Sequence, residues 1–293
     1  MSQPMFPLGV TAVMLPQLDF DRQLAICAQL GITHYSWRPR VIAADQRDKP
    51  HNPWGRHEFD LTPTRLIDEG PRLRRQLEGA GLVSFGTVPT CNSAASDDEL
   101  KQHFEGSAIV GAGRVRISPA PYPQGAFDYG DLLTSTIERY GQLVAIARSF
   151  GQKIVLETHS GSFVSSPALA LNICRHFDPT DVGVIFDINN FMIEGGLKPN
   201  LAVAVIGKYI DHAHVGGALC TFGQRDELGF RQPAHEMCSL LDGGSHVPTW
   251  VRAMHEAGVH TPLVIENFSG HADNGQLLTE SAQQLQAVMK TLA

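Results

Sequence analysis

Two apolar rhythms alternate along the chain. Short runs of aliphatic and β-branched residues fall at 7–14, 32–37, 82–88, 114–118, 153–158, 182–187, 210–215 and 262–267. Each has the length and composition of a buried strand. Between them, apolar residues recur every three or four positions. In 19–30, for example, Leu24, Ile26, Cys27 and Leu30 share one helical face and Gly31 supplies the stop. The same period predicts helices over 64–80, 97–110, 129–150, 166–177, 200–206, 248–257 and 276–292. The stops fall at Gly31, Gly81, Gly113, Gly151, Pro179, near Gly207 and Gly258. Strand then helix, repeated in this way, means parallel strands joined by crossover helices. Eight such units without a break in composition predict a single (β/α)8 TIM barrel domain over residues 1–293.

One polar stretch interrupts the rhythm. Residues 38–62 contain Asn52-Pro-Trp54-Gly-Arg56-His57. A loop this long inside a compact domain is usually functional or disordered. Trp54, Arg56 and His57 are read as a lid that touches substrate.

Four strand runs end on metal-binding residue types: Glu157, Asp187, His214 and Glu266. A buried strand tip tolerates a carboxylate or an imidazole only when something pairs with it. In a barrel of parallel strands the C-terminal tips share one mouth. Three carboxylates there repel one another and hold protons unless a cation joins them. Taken singly, each residue could instead cap its strand or pair with an arginine. Taken together, they predict one divalent ion, Mn2+ first, with Mg2+, Co2+ and Zn2+ as alternatives to it.

Neighbouring residues extend the site. His212 and His214 share a strand face; His214, nearer the tip, is the ligand, and His212 is a core or supporting histidine. His159, one step beyond Glu157, is placed over the metal as a general base or hydroxyl donor. Asn190 is read as a contact to substrate hydroxyls, and Glu194 as structural, near the start of the following helix. Arg56, Arg116 and Arg225 are candidate anion contacts. A cation that chelates adjacent hydroxyl and carbonyl oxygens acidifies the neighbouring C–H and stabilises an enediolate. Glu157 and Glu266, on opposite sides, would remove and return the proton. Return to the same carbon is epimerisation, to the next carbon isomerisation. Loss of a β-substituent is elimination.

The chelation chemistry makes the expected partner a small polyol or sugar, and composition speaks against the other classes. The net charge of −7 speaks against tracking a phosphate backbone, so no nucleic-acid partner is expected. No apolar run approaches a membrane span. Met1-Ser-Gln-Pro-Met-Phe-Pro lacks the basic and apolar parts of a signal peptide. Five scattered cysteines without a Cys-x-x-Cys suggest reduced thiols and a cytoplasmic location.

Four segments carry a family resemblance: Leu156-Glu157-Thr-His159, Phe186-Asp187-x-x-Asn190-Phe-x-x-Glu194-Gly195, His212-x-His214 and Ile265-Glu266-Asn. In these the chain resembles the xylose isomerase-like barrel superfamily, the sugar phosphate isomerases and epimerases, over nearly its whole length. Its members include ketose 3-epimerases, hydroxypyruvate isomerase, inosose dehydratase and endonuclease IV. The resemblance implies a single-metal set at Glu157, Asp187, His214 and Glu266. It also implies acid and base roles for the two glutamates, and a homo-oligomer. Departures stand at Asn190, where ketose epimerases usually have His, and at Phe163, Cys220 and Gly216-Gly217. The metal site therefore carries over, while ketose-epimerase specificity does not. The leading expectation is a metal-dependent sugar isomerase or epimerase. A lyase or dehydratase on a keto-sugar, inosose or glycoside is the alternative. A partner-dependent subunit and an abasic-site endonuclease rank below both; the latter's three-metal cluster needs a His where Asn190 stands.

Overall fold

A computed structural model describes residues 5–269 and 273–292. The first four residues of the segment read above as lacking a signal peptide lie outside the described residues. Eight parallel strands close into a barrel. In chain order they are β1 (Leu8–Thr11), β2 (His34–Trp37), β3 (Val83–Thr87), β4 (Arg114–Arg116), β5 (Lys153–Glu157), β6 (Val182–Asp187), β7 (Ile210–Val215) and, after an inserted hairpin, β10 (Leu263–Ile265). Each strand pairs with its sequence neighbour, and β10 closes the ring between β7 and β1. The hairpin is β8 (Gly217–Arg225) paired antiparallel with β9 (Arg231–Cys238). The fold is a (β/α)8 TIM barrel.

Helices α1 (Phe20–Gln29), α2 (Pro63–Gly79), α3 (Asp97–Ile109), α4 (Tyr129–Ser149), α5 (Pro167–Cys174), α6 (Ile188–Ile193), α7 (Pro199–Ile206), α8 (Val247–Glu256) and α9 (Asn274–Lys290) connect the strands, α6 and α7 both lying between β6 and β7. Their starts follow from local chemistry. Asp19, Thr62, Ser96, Asp128, Ser166 and Asp273 each accept a hydrogen bond from an N–H of the helix they precede. Such a cap is worth about 1 kcal/mol. The core lies between the sheet and the helical ring, where Leu24, Leu73, Phe104, Leu143, Ile173, Met254 and Leu278 are buried.

Three departures from the sequence reading bear on the site. Helix α3 stops at Gly111, which takes φ +73, two residues before the expected Gly113. Residues 38–62 are held at their base by a bridge between Pro39 and Leu61 and contain a 3-10 turn at Ala44–Gln46. The excursion after β7 holds the β8–β9 hairpin, which sequence periodicity did not reveal. Its outer residues are exposed on both faces, so no apolar side alternates with a polar one.

Candidate active site

Glu157 and Asp187 are the last residues of β5 and β6, and His214 is the last but one of β7. Glu266 follows β10 directly. Thr158 ties the first two tips together: its Oγ1 donates to Ile185 O at 3.2 Å and accepts from the Asp187 N–H at 3.0 Å. Asp187 also caps α6, its Oδ1 accepting from the Asn190 N–H at 2.8 Å. Asn190 Oδ1 accepts from the Ser160 N–H at 3.0 Å, and Glu194 Oε1 from Ser160 Oγ and the Gly161 N–H at 2.9 and 2.8 Å. Glu194 is thus structural, but it closes α6 and does not open the next helix. Asn267, fully buried, anchors Glu266 from behind through Gly217 N–H and Ser281 Oγ, each at 3.0 Å.

Backbone proximity accounts for the Gly216-Gly217 pair. A Cβ on Gly216 would overlap the carbonyl oxygen of Glu266, and one on Gly217 that of Ser239. Gly216→Ala therefore has to push Glu266 out of place. We expect metal affinity about 10- to 100-fold weaker, the usual cost of disturbing a ligand's support. Competition with a chromophoric chelator measures it.

Ligand atoms of Glu157, Asp187 and His214 all lie within 4.8 Å of one another. His214 Nδ1 stands 2.8 Å from Glu266 Oε2, 3.0 Å from Glu157 Oε1 and 3.9 Å from Asp187 Oδ2. An Nδ1–H directed at Glu157 leaves Glu266 Oε2 buried without a donor. His214 Nε2 is also buried and unpartnered. The fields are correspondingly strong. Burial alone would depress His214, but Glu266 and Glu157 push it up to about 10. Burial, then Glu157, raises the Asp187 carboxyl to about 7. Burial would raise Glu157 too, yet Arg116 and then His214 hold it well below the usual carboxylate range. The protonated imidazole does the work a metal cation would do. Three carboxylates gathered on one buried imidazole offer a set of hard oxygen donors and a nitrogen that fits a divalent ion.

His212 packs behind this cluster, its ring 5.3 Å from that of His214. Its Nδ1 meets Asp211 Oδ1 at 2.9 Å, and its ring packs against Phe85 at 5.0 Å. Burial pushes it down to about 4, so it is neutral. Asp211 is balanced by Lys153 at 2.8 Å and Arg114 at 3.3 Å.

A cavity of about 410 Å3 opens over the cluster. Trp54, Arg116, Glu157, His159, Asp187, Asn190 and Glu266, all singled out from sequence, line it. Arg56 and His57 are not among its walls. Arg56 donates to Arg47 O, and His57 Nε2 meets Pro53 O at 3.0 Å, so they shape the loop that carries Trp54. Arg116 is already committed: one Nη bonds Glu157 and the other Pro89 O. Arg225 bonds Gly229 O at the tip of the hairpin. Sequence reasoning missed His235 and Met237, which β9 brings to the cavity, and Phe268, whose ring lies 4.9 Å from that of Trp54. The turn Asp226-x-x-Gly229 was the available hairpin signal. A larger cavity, about 490 Å3, lies across α6 against Phe191 and Trp250 and holds none of the cluster.

With that geometry in hand, comparison places the chain. Residues 41–291 match the xylose isomerase-like TIM barrel family. The chain belongs to that family. Among curated proteins, no sequence matches it. Several solved structures share its fold. L-ribulose 3-epimerase superposes with a TM-score of 0.70 at 14% identity, over 98% of this chain and 95% of that one. The 3-keto-D-glucoside 4-epimerase of E. coli gives 0.69 at 12% identity, over 96% and 99%. A xylose isomerase-like TIM barrel protein from Mycobacterium smegmatis, in complex with magnesium, gives 0.65 at 17% identity, over 98% and 97%.

Proposed function

We propose that this member of the family is a divalent-metal-dependent isomerase or epimerase of a small sugar or keto-polyol, acting through an enediolate. The observation that carries the reading is the convergence of Glu157, Asp187 and His214, with Glu266 Oε2 2.8 Å from His214 Nδ1 beside them. Glu157, Asp187, His214 and Glu266 would hold the ion, Mn2+ being the expected one. When bound, the ion would polarise the substrate carbonyl and lower the energy of the enediolate. Glu157 and Glu266 flank His214 from two strands and are the proton carriers, one for each face of the substrate carbon. Arg116 fixes Glu157 in its ionised form, ready to accept a proton. Trp54 and Phe268 form an apolar wall of the cavity, their rings 4.9 Å apart. Asn190 is the contact to substrate hydroxyls, and the loop held by Arg56 and His57 positions Trp54.

His159 favours a second reading. Its Nδ1 must donate to the Ser160 carbonyl at 2.8 Å, which leaves Nε2 free to exchange a proton at the cavity wall. A proton delivered from there to a departing β-hydroxyl would make the enzyme a lyase. The five cysteines are free, in keeping with a cytoplasmic protein. Among the described residues no helix is long and apolar enough to cross a membrane.

Incubation of the Mn2+-loaded protein with keto-pentoses and keto-hexoses in D2O tests the proposal. Deuterium beside the carbonyl, with a new epimer or aldose, supports it. A dehydrated product selects the lyase. Full metal loading without exchange or product contradicts both.

Metal uptake should also be linked to protons. A ligating imidazole must be neutral. His214, titrating at about 10, and Asp187, at about 7, hold more protons in the ion-free protein than in the loaded one. Binding therefore releases protons and strengthens as pH rises towards 10. Near pH 7 we expect between about one and two protons released per ion, falling to about one above pH 8. Calorimetry in buffers of different ionisation enthalpy reads this number.

A further inference from the structure

We propose that His255 and His260 form a second metal site, at the opposite end of the barrel from the carboxylate cluster, for an ion that favours nitrogen ligands at right angles, Ni2+ or Cu2+. The proposal does not rest on the sugar reading.

Helix α8 ends at Glu256 and β10 begins at Leu263. His255 lies in the last turn of α8, and His260 follows the turn at Gly258, which takes φ +72. The pair therefore sits where helices end and strands begin, while the cluster sits where strands end. His255 is half-buried and His260 exposed, so both are within reach of a solvated ion. His255 Nδ1 stands 3.0 Å from His260 Nε2, and the two rings stack with centroids 5.2 Å apart. Phe6, fully buried just before β1, meets the His260 ring edge-on at 5.4 Å and steadies it. Neither histidine belongs to the cluster or lines its cavity.

The local charges admit a cation. The carbonyl end of α8 is the negative end of its dipole, and a positive charge in the last turn is favoured there. Glu256 is exposed beside His255. Lys208 borders the same hollow as His260, but its ammonium lies over the Tyr209 ring at 4.9 Å.

Without an ion, one ring donates to the other. When an ion binds, the donating ring moves its proton to its outward nitrogen, and both facing nitrogens offer lone pairs. Both rings then ligate as neutral imidazoles. At a metal–nitrogen length of about 2.0–2.1 Å, two nitrogens 3.0 Å apart meet the ion at nearly a right angle. A tetrahedral ion such as Zn2+ needs its nitrogens about 3.3–3.4 Å apart. Square-planar or tetragonal nitrogen sites suit Cu2+ and Ni2+, whereas Mn2+ and Mg2+ prefer the oxygens of the cluster. An ion held by this pair ties the end of α8 to the segment leading into β10, the strand that delivers Glu266.

Ni2+ is titrated by calorimetry into protein loaded with Mn2+, with Mn2+ content counted by mass spectrometry before and after. The wild type, His255→Ala and His260→Ala are compared. The wild type should take up one Ni2+ that displaces no Mn2+. In each variant that event should weaken at least about tenfold, because one imidazole is left where two acted together. Zn2+ should bind the wild-type pair more weakly than Ni2+. A wild type that takes up Ni2+ only in exchange for Mn2+ overturns the proposal, and this arm needs no folded variant. Wild-type affinity in either variant overturns it too, since it leaves a single histidine as the ligand. Tighter binding of Zn2+ than of Ni2+ overturns the right-angled site. A protein that takes up no Mn2+ loses the metal mechanism at the cluster, and the pair is still judged by the same difference between wild type and variants.

Discussion

Glu266→Gln should lower turnover by about 10²- to 10⁴-fold, the range expected when a positioned proton carrier is lost. The amide keeps the size and shape of the carboxylate but cannot accept a proton. It also removes negative charge from the cluster in which Glu266 Oε2 stands 2.8 Å from His214 Nδ1. Glu266 is held from outside by backbone contacts, its N–H donating to Val215 O at 3.0 Å, so the strand tip should survive the change. Deuterium exchange into the substrate reads the chemical step, and circular dichroism checks the fold. A folded variant within about tenfold of the wild-type rate would remove Glu266 from the proton-transfer role.

The two histidines of β7 should fail in different ways. His214→Ala removes the imidazole that meets both Glu157 and Glu266, and the protein should lose its metal and with it turnover. His212→Ala removes a ring buried against Phe85 and leaves Asp211 its pairing with Lys153 and Arg114. It should keep the metal but lose about 2–5 kcal/mol of stability, as large-to-small core changes do. In a chain of this size that is a fall in Tm of roughly 3–8 °C. Metal analysis and a thermal melt on each variant separate the two roles. Metal loss in His212→Ala with retention in His214→Ala would reverse the assignment.

Much of this was legible because it is local or periodic. The eight strand runs carry their burial in composition, and the helix stops at Gly31, Gly81, Gly151 and Gly258 take the positive φ that only glycine adopts cheaply. The carboxylates at strand tips stood out because Glu157 follows the apolar Ile154, Val155 and Leu156, and Asp187 ends a strand with no other charged residue. What stayed hidden depends on contacts between distant segments. Nothing near Arg116 in sequence says that Glu157 and Pro89 occupy its guanidinium. His57 and Arg56 lie beside Trp54 in the chain, yet the loop turns only Trp54 towards the cavity. His235 and Met237 arrive on a hairpin whose position depends on Gly217 passing close to Ser239.

Metal content of the purified protein, by mass spectrometry before and after chelation and Mn2+ reloading, tests the central claim most directly. The buried cluster of Glu157, Asp187 and His214, with Glu266 beside it, predicts about one divalent ion per chain, lost on chelation and regained on reloading. A folded protein that holds no ion even after reloading would contradict it.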